Sequence, residues 1–393
     1  MLDKGALSGL KILEFANYIT GPYASMLLAD IGAEVIKVEI PGSGDPFRGW
    51  GDAAYSPTFC GFNRNKKSIT LNVSSKEGKK LFEELVKDTD VLIENFRPGV
   101  LDDMGFDYEH LRLINSKLIY CSITGFGSDG PYRDRPGYDT IGQAMGGLLG
   151  VLIDLDKPSG IGAPLSDLLT GLYACYAIQG ALLSRYQTGL GQKVETSLLQ
   201  ATVAFGSSNA ATYLASGLIP NKSTRTQMAQ VYVFTSGDGL PFVIHLSSPQ
   251  KFWHSLTKAL NKLELAEDER FCNRELRFKN YHELTSVLQE IFKSDTRSKW
   301  LSLLEKHDVP VAAILNQKEV FEDPQVMHLG MVIEMNHKDL GSVRLVKSAI
   351  NMSETPPKMS FAPPALGEHT QEILEKLGYS IDDFKILKLN NVI

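Results

Sequence analysis

Between Leu10 and Thr124, short apolar runs rich in β-branched residues alternate with helical patterns. That alternation is the signature of crossover units and a parallel sheet. Leu10–Phe15 reads as a strand. Gly21 and Pro22 then open a helix, Pro being tolerated where a first-turn N–H has no partner, and Gly32 closes it. Glu34–Val38 reads as the second strand and Ser68–Val73 as the third. Lys76–Lys87 carries Leu81, Phe82, Leu85 and Val86 on one helical face, and Val91–Ile93 and Leu118–Thr124 are further buried strands. The expected fold class is α/β, a doubly wound sheet of Rossmann type with its ligand crevice at the carboxyl ends of the strands.

A chain of 393 residues divides into two or three domains on the usual domain size. Hydrophobic residues at 43% and charged residues at 22% supply an ordinary core and exclude disorder over most of the length. Asp and Glu outnumber Lys and Arg by 46 to 40, giving a net charge of -6. That balance argues against a nucleic-acid partner but leaves room for a local basic pocket that takes a small anion. Cys60, Cys121, Cys175 and Cys272 form no Cys-x-x-Cys pair and have no close His, so no metal site is expected and the thiols read as reduced. The opening MLDKGALSG lacks the features of a leader, and a cytoplasmic location is expected. The longest apolar stretch, Leu165 to Leu183, is interrupted by Asp167, Thr170, Gln179 and glycines. It falls short of the roughly 20 apolar residues of a membrane span and reads as a buried helix, with no membrane partner.

That helix, about Leu165–Tyr186, leads to a QKVETSL strand and a helix ending near Ser216. Gly217–Gln230 is polar and suits an extended linker. Strands at Val231–Thr235 and Pro241–Leu246 flank a turn at Gly237-Asp238-Gly239, helices follow at about Pro249–Leu260 and Tyr281–Leu304, and a strand is expected at Pro310–Leu315. The expected organisation is a large domain over 1–216 completed by 331–393, where Glu368–Leu377 forms a short helix, and a small domain over 225–325.

Four segments carry candidate chemistry, each beside a plainer reading. Gly125-Phe-Gly127-Ser-Asp-Gly130 matches the dinucleotide fingerprint in form, but Pro131, Pro136 and three charges continue it as a loop instead of opening a helix. Asn63-Arg-Asn-Lys-Lys-Ser68 places three cations before a strand, either as a solvated turn or to steer a polyphosphate. Glu94-Asn-Phe-Arg-Pro-Gly99 stands just beyond a buried strand, where Arg97 offers a planar donor fork for phosphate or a surface for a base, or simply turns into a helix. Asp167, in the first turn of a nearly all-apolar helix, is either a cap or a carboxylate held in a desolvated pocket as a nucleophile.

In chain order, LKILEFANYITGPYASMLLADIGAEVIKVE, GDPFRGW, NRNKKSITLNV, ENFRPGVLDDMGFDYEHL, ITGFGSDGPYRDRPGYD, SDLLTG, TGLGQKVETSL and LGEHTQEIL resemble the family III CoA-transferases, from about residue 7 to about residue 379. The family contains formyl-CoA, carnitine-CoA and succinyl-CoA:dicarboxylate transferases and the 2-methylacyl-CoA racemases. The resemblance implies a Rossmann-like large domain built from both chain ends, a smaller α/β domain, and an interlocked homodimer of two ring-like subunits.

It also implies that Asp167, the Asp of an Asp-x-x-x-Gly segment, is the nucleophile. The implied CoA contacts fall on Ile19 and Thr20, on Leu71, Asn72, Val73 and Ser74, on Asn95, Phe96 and Arg97, on Met104, and on the stretch from Arg135 through Tyr138 to Asp139. Arginines used by formyl-CoA transferase are replaced here by Ile40 and Asp103, leaving Arg97, Arg135 or Lys37 for the phosphates. The glycine-run loop of that enzyme is absent, and STRTQMAQVY replaces the Gly-x-x-His-Pro and Pro-Tyr elements of shorter relatives, so the acceptor stays open.

The implied activity moves CoA from an acyl-CoA donor to a small carboxylic acid through an aspartyl anhydride and an aspartyl-CoA thioester, with CoA as substrate and no permanent cofactor. A racemase would need acid and base on opposite faces. Its His falls on Tyr138 and its Glu near Ser248. A non-catalytic CoA-binding protein would lack the carboxylate at Asp167.

Overall fold

The computed structural model describes residues 5–51, 56–248 and 250–393. Pro249, the expected start of one helix, lies outside the described residues. The chain forms two compact units, one of 1–148, 162–207 and 325–393, the other of 149–161 and 208–324.

The first unit is built on a parallel sheet of β1 (Lys11–Phe15), β2 (Glu34–Glu39), β3 (Lys66–Thr70), β4 (Val91–Glu94), β5 (Ile119–Thr124) and β6 (Lys193–Ser197), in the order β3-β2-β1-β4-β5-β6. Successive side chains of a strand point to opposite faces, and here each face is covered. Ile12, Val35, Val91, Ile93, Ile119, Cys121 and Ile123 pack against Ala24 and Leu28 of helix Thr20–Asp30 and against Ala174, Ile178 and Ala181 of helix Leu165–Thr188. Leu13, Phe15, Val38, Leu92 and Tyr120 belong to the opposite core, with Leu81, Phe82 and Val86 of helix Lys76–Lys87 and with Ile373, Leu374, Leu387 and Val392 from the carboxyl-terminal segment. Two-sided burial explains why these strands read as near-continuous apolar runs.

β3 starts and ends earlier than expected, so Leu71–Ser74 follows the strand instead of completing it. Its outer edge is closed by the tail: the Thr70 amide donates to Thr370 Oγ1 at 3.1 Å and the Ser68 amide to His369 Nδ1 at 3.2 Å. The antiparallel pair β10 (Val332–His337) and β11 (Gly341–Val346) and the helix Ile381–Leu389 were not legible as periodic patterns.

The second unit has an antiparallel sheet, β7 (Val231–Thr235), β8 (Pro241–His245) and β9 (Val311–Ala313), in that order. Tyr232, Phe234, Phe242, Ile244, Trp253, Leu288, Phe292 and Leu304 form its core. The helix expected over Tyr281–Leu304 is two, Tyr281–Phe292 and Arg297–Lys306, because Thr296 takes an extended backbone and caps the second. A short helix, Thr224–Met228, interrupts the expected extended linker. Among the described residues no helix is long and apolar enough to cross a membrane.

Candidate active site

β1 leads outward to β2 on one side and neighbours β4 on the other, which makes the gap between β1 and β4 the switch point of the sheet. Ligands of open α/β sheets bind outside the carboxyl ends of the strands at such a point. A cleft of about 240 Å³ lies there, lined by the segments that leave β1 (Asn17–Thr20), β4 (Asn95–Pro98) and β5 (Thr124, Gly125), by Arg133, Arg135, Pro136, Gly137 and Tyr138, and by Asp167 and Leu198.

The wall after β1 is tightly held. Asn95 accepts from the Asn17 amide at 2.9 Å and donates to the Asn17 carbonyl at 2.7 Å and to Thr20 Oγ1 at 3.0 Å. The Asn95 side chain thus ties the β1 and β4 loops together. Tyr18 lies at φ +65°, a left-handed backbone uncommon for a residue with a Cβ, and its amide faces Asp45 Oδ1 at 3.3 Å. A Cβ on Gly21 would come within 2.4 Å of the Ala16 Cβ, so the chain can turn into the helix here only with glycine.

Asp167 is brought to the cleft by close helix packing. A Cβ on Gly171 would meet Tyr23 Cδ1 at 2.9 Å and the Thr20 carbonyl oxygen at 3.0 Å, so the Gly of Asp-x-x-x-Gly lets helix Leu165–Thr188 lie against the start of helix Thr20–Asp30. On its other side a Cβ on Gly142 would come within 2.4 Å of Ser166 Oγ, and that hydroxyl is bound to Thr202 Oγ1 at 2.7 Å.

Asp167 is not the cap: Pro164 holds that position without a side-chain hydrogen bond. Among the described residues the Asp167 carboxylate has no hydrogen-bond or ion-pair partner, while its amide donates to Asp139 Oδ1 at 3.1 Å. The other Asp139 oxygen accepts from Gln143 Nε2 at 2.5 Å. Burial first, and then the negative charge of Asp139, push the Asp167 carboxyl up to about 7. An elevated, unpaired carboxylate in a cleft is a marker of function.

The cations divide sharply. Arg97 and Arg135 are exposed and pair with no carboxylate among the described residues; Arg135 lies over the rings of Tyr132 and Phe126 at 4.5 and 5.6 Å. Lys37 and the NRNKKS cations differ. Lys37 is wholly buried, bound to Glu14 at 2.6 Å and Asp45 at 2.9 Å, so it cannot reach a phosphate as expected. Arg64 is buried against Asp30, and Lys66 is buried against Glu14 at 2.7 Å, which overturns both the solvated-turn and the steering readings for these two. Only Lys67 is partly exposed, and it pairs with Glu34 and Glu372.

Of the expected site residues, Ile19, Thr20, Asn95, Phe96, Arg97, Arg135, Tyr138 and Asp167 meet around the cleft, and Asp139 stands behind Asp167. Leu71 and Val73 are buried in the core and Met104 packs against it, so none of the three side chains lines the cleft. Asn72 donates its amide to the Val392 carbonyl, and Ser74 is exposed. Sequence reading missed Asn17, Tyr18, Thr124 and Arg133; the Arg133-Asp134-Arg135 run could have drawn attention to Arg133. Gly125, singled out as part of a nucleotide fingerprint, instead touches Gly137: a Cβ on either would meet the other's Cα at about 3 Å.

Residues 7–370 match the sequence profile of CoA-transferase family III. The chain is 38% identical over 377 residues to the succinyl-CoA:glutarate CoA-transferase of Homo sapiens, covering 94% of this chain and 86% of that one. It is 33% identical over 416 residues to the formyl-CoA:oxalate CoA-transferase of Streptomyces avermitilis, covering 99% of each. The crystal structure of a CAIB/BAIF family protein from Brucella suis superposes with a TM-score of 0.86 at 38% identity, covering 95% of this chain and all of the other. Profile, sequence and fold coincide over nearly the whole length, and the chain belongs to CoA-transferase family III.

Proposed function

We propose that the protein transfers CoA from an acyl-CoA, of the succinyl-CoA class, to a small dicarboxylate, with Asp167 as nucleophile. The observation that carries this reading is the Asp167 carboxylate, unpaired in the cleft at the sheet's switch point and raised to about 7. A carboxylate of that basicity is a stronger nucleophile than an ordinary one, yet is ionised in a useful fraction near neutral pH.

Asp167 attacks the thioester carbonyl, and the C–S bond breaks to give an acyl-aspartyl anhydride and CoA thiolate. The thiolate attacks the aspartyl carbonyl, releasing the donor acid and leaving aspartyl-CoA thioester. The acceptor carboxylate attacks that thioester, giving a new anhydride and thiolate, and thiolate attack on the acyl carbonyl then releases product and restores Asp167. Backbone amides at the carboxyl ends of β1 and β4, and the start of helix Thr20–Asp30, which has no side-chain cap, suit the oxyanion. Arg97 and Arg135 take the CoA phosphates, and the segment Leu71–Ser74 contributes backbone groups and the exposed Ser74 to the rest of the nucleotide. The large CoA-binding domain expected over 1–216 with 331–393 is assigned to the unit of 1–148, 162–207 and 325–393, and the small domain expected over 225–325 to the unit of 149–161 and 208–324.

The names of the relatives, succinyl-CoA:glutarate and formyl-CoA:oxalate CoA-transferase, support a dicarboxylate acceptor. A racemase finds little support, since Tyr138 stands where its His would and no His lines the cleft among the described residues. Hydroxylamine trapping during turnover of succinyl-CoA with glutarate tests the reading. Label on Asp167, lost in Asp167→Asn, is expected; near-normal turnover by Asp167→Asn overturns it.

A further inference from the structure

The NRNKKS and EVIKVE motifs end in the core, and what they do there bears on the site. Glu14 of β1 sits in register with Lys37 of β2. Lys37 and Lys66 both bind its carboxylate, and Lys37 binds Asp45 as well. All four side chains are fully buried, and two positive charges meet two negative ones. Each lysine has a further acceptor: Lys37 Nζ donates to the Ala16 carbonyl at 2.8 Å, and Lys66 Nζ to the Pro22 carbonyl at 2.8 Å. Ala16 begins the loop that forms the cleft wall, and Pro22 lies in the first turn of helix Thr20–Asp30, into which that loop leads. Asp45 completes the set, its Oδ1 accepting from the Phe47 amide at 2.9 Å and facing the Tyr18 amide at the middle of the loop.

Buried ion pairs contribute little net stability, because desolvation offsets the attraction, and well-packed apolar residues often serve a fold as well. What an apolar core cannot do is donate hydrogen bonds to two carbonyls six residues apart along a segment that is left-handed at Tyr18. We propose that Lys37 and Lys66 are positioning residues of the transferase site. Acting with Glu14 and Asp45, they clamp both ends of the Ala16–Pro22 segment, loop and first helical turn together, and fix its distance and angle to Asp167. This rests on the reading of Asp167 as nucleophile.

Single removal of either lysine leaves a buried carboxylate short of a cation, so the test uses two charge-balanced double variants of the full-length protein, Glu14→Gln with Lys66→Met and Lys37→Met with Asp45→Asn. Turnover of succinyl-CoA with glutarate is measured per folded molecule, below the Tm of every variant, together with KM and inhibition by free CoA. Each pair is expected to fold, to bind free CoA within about threefold of the parent, and to lose at least tenfold in kcat. Unchanged kcat per folded molecule in both pairs overturns the proposal. So does failure of both pairs to fold, since the charges would then serve the fold itself. Asp167→Asn, assayed beside them, separates the two ideas: if it is inactive while the pairs are active, only the clamp fails, and if it is active the nucleophile reading fails first.

Discussion

The backbone amide of Asp167 donates to the carboxylate of Asp139 at 3.1 Å, so the two acids of the cleft are joined through a main-chain N–H with no cation between them. That arrangement fixes the orientation of the helix turn that carries Asp167, and the Asp139 charge adds to burial in raising the basicity of its side chain.

The pH profile should show this directly. Only ionised Asp167 attacks, so kcat/KM should rise with unit slope and level off above about 7. Asp139→Asn keeps an oxygen for the Asp167 amide but removes the smaller of the two causes of the shift. Its midpoint should move to lower pH while staying above the ordinary carboxylate range. An unmoved midpoint in that variant would show that Asp139 does not act on Asp167 by charge.

Arg97→Ala and Arg135→Ala should each raise KM for acyl-CoA about tenfold and leave kcat within about twofold, because a charge-assisted contact to phosphate far from the reacting carbon acts on ground and transition states alike. Initial-rate kinetics at fixed ionic strength check this. A fall in kcat at unchanged KM would move these residues from binding to chemistry.

Gly171→Ala forces a Cβ against Tyr23 and the Thr20 carbonyl at about 3 Å. Overpacking of this kind costs about 1–3 kcal/mol. Since it pushes apart the two elements that carry Asp167 and the cleft wall, kcat should fall more than the Tm shift alone explains. Denaturant melts and turnover on the same preparation distinguish the two effects.

Glu94, buried at the end of β4, has its carboxyl pushed up to about 7 by burial, against the opposing hydrogen bonds of Ser122 and the Phe96 amide. The folded state therefore holds this proton more firmly than the unfolded chain, whose Glu titrates near 4.3. Stability from this group is complete below about pH 4, declines as pH rises through about 7, and stays low above it. Glu94→Gln cannot ionise and keeps an oxygen for the Phe96 amide. It should match the parent near pH 4 and be more stable by about 3.5 kcal/mol at pH 8, as read by denaturant midpoints at both pH values. Equal stability at pH 8 would mean that Glu94 finds compensation when charged.

Leu172, Tyr176, Leu183 and Tyr186 of helix Leu165–Thr188, with Val203 and Phe205 nearby in sequence, expose large apolar side chains. Such a face supports a second copy as its cover, in the interlocked homodimer proposed for the family fold. Sedimentation at nanomolar concentration should show a particle of twice the chain mass. A folded monomer in dilution-driven equilibrium with dimer would rule out interlocking, since threaded rings separate only by opening.

The sequence by itself determined the parallel sheet, through strands whose residues are apolar on both faces, and its motifs of contiguous residues, through their resemblance to the family, singled out Asp167 and the Ile19, Asn95 and Arg97 segments. These are properties of neighbours along the chain. Tertiary structure alone decided which cations are free. Lys37, Arg64 and Lys66 look like Arg97 and Arg135 in one dimension, yet the first three are buried against carboxylates 8 to 52 positions distant, and the last two face the cleft. It also decided the partnership of Asp139 with Asp167 and the contact of Gly125 with Gly137, because burial and pairing depend on which segments the fold brings together, and local pattern carries no record of that.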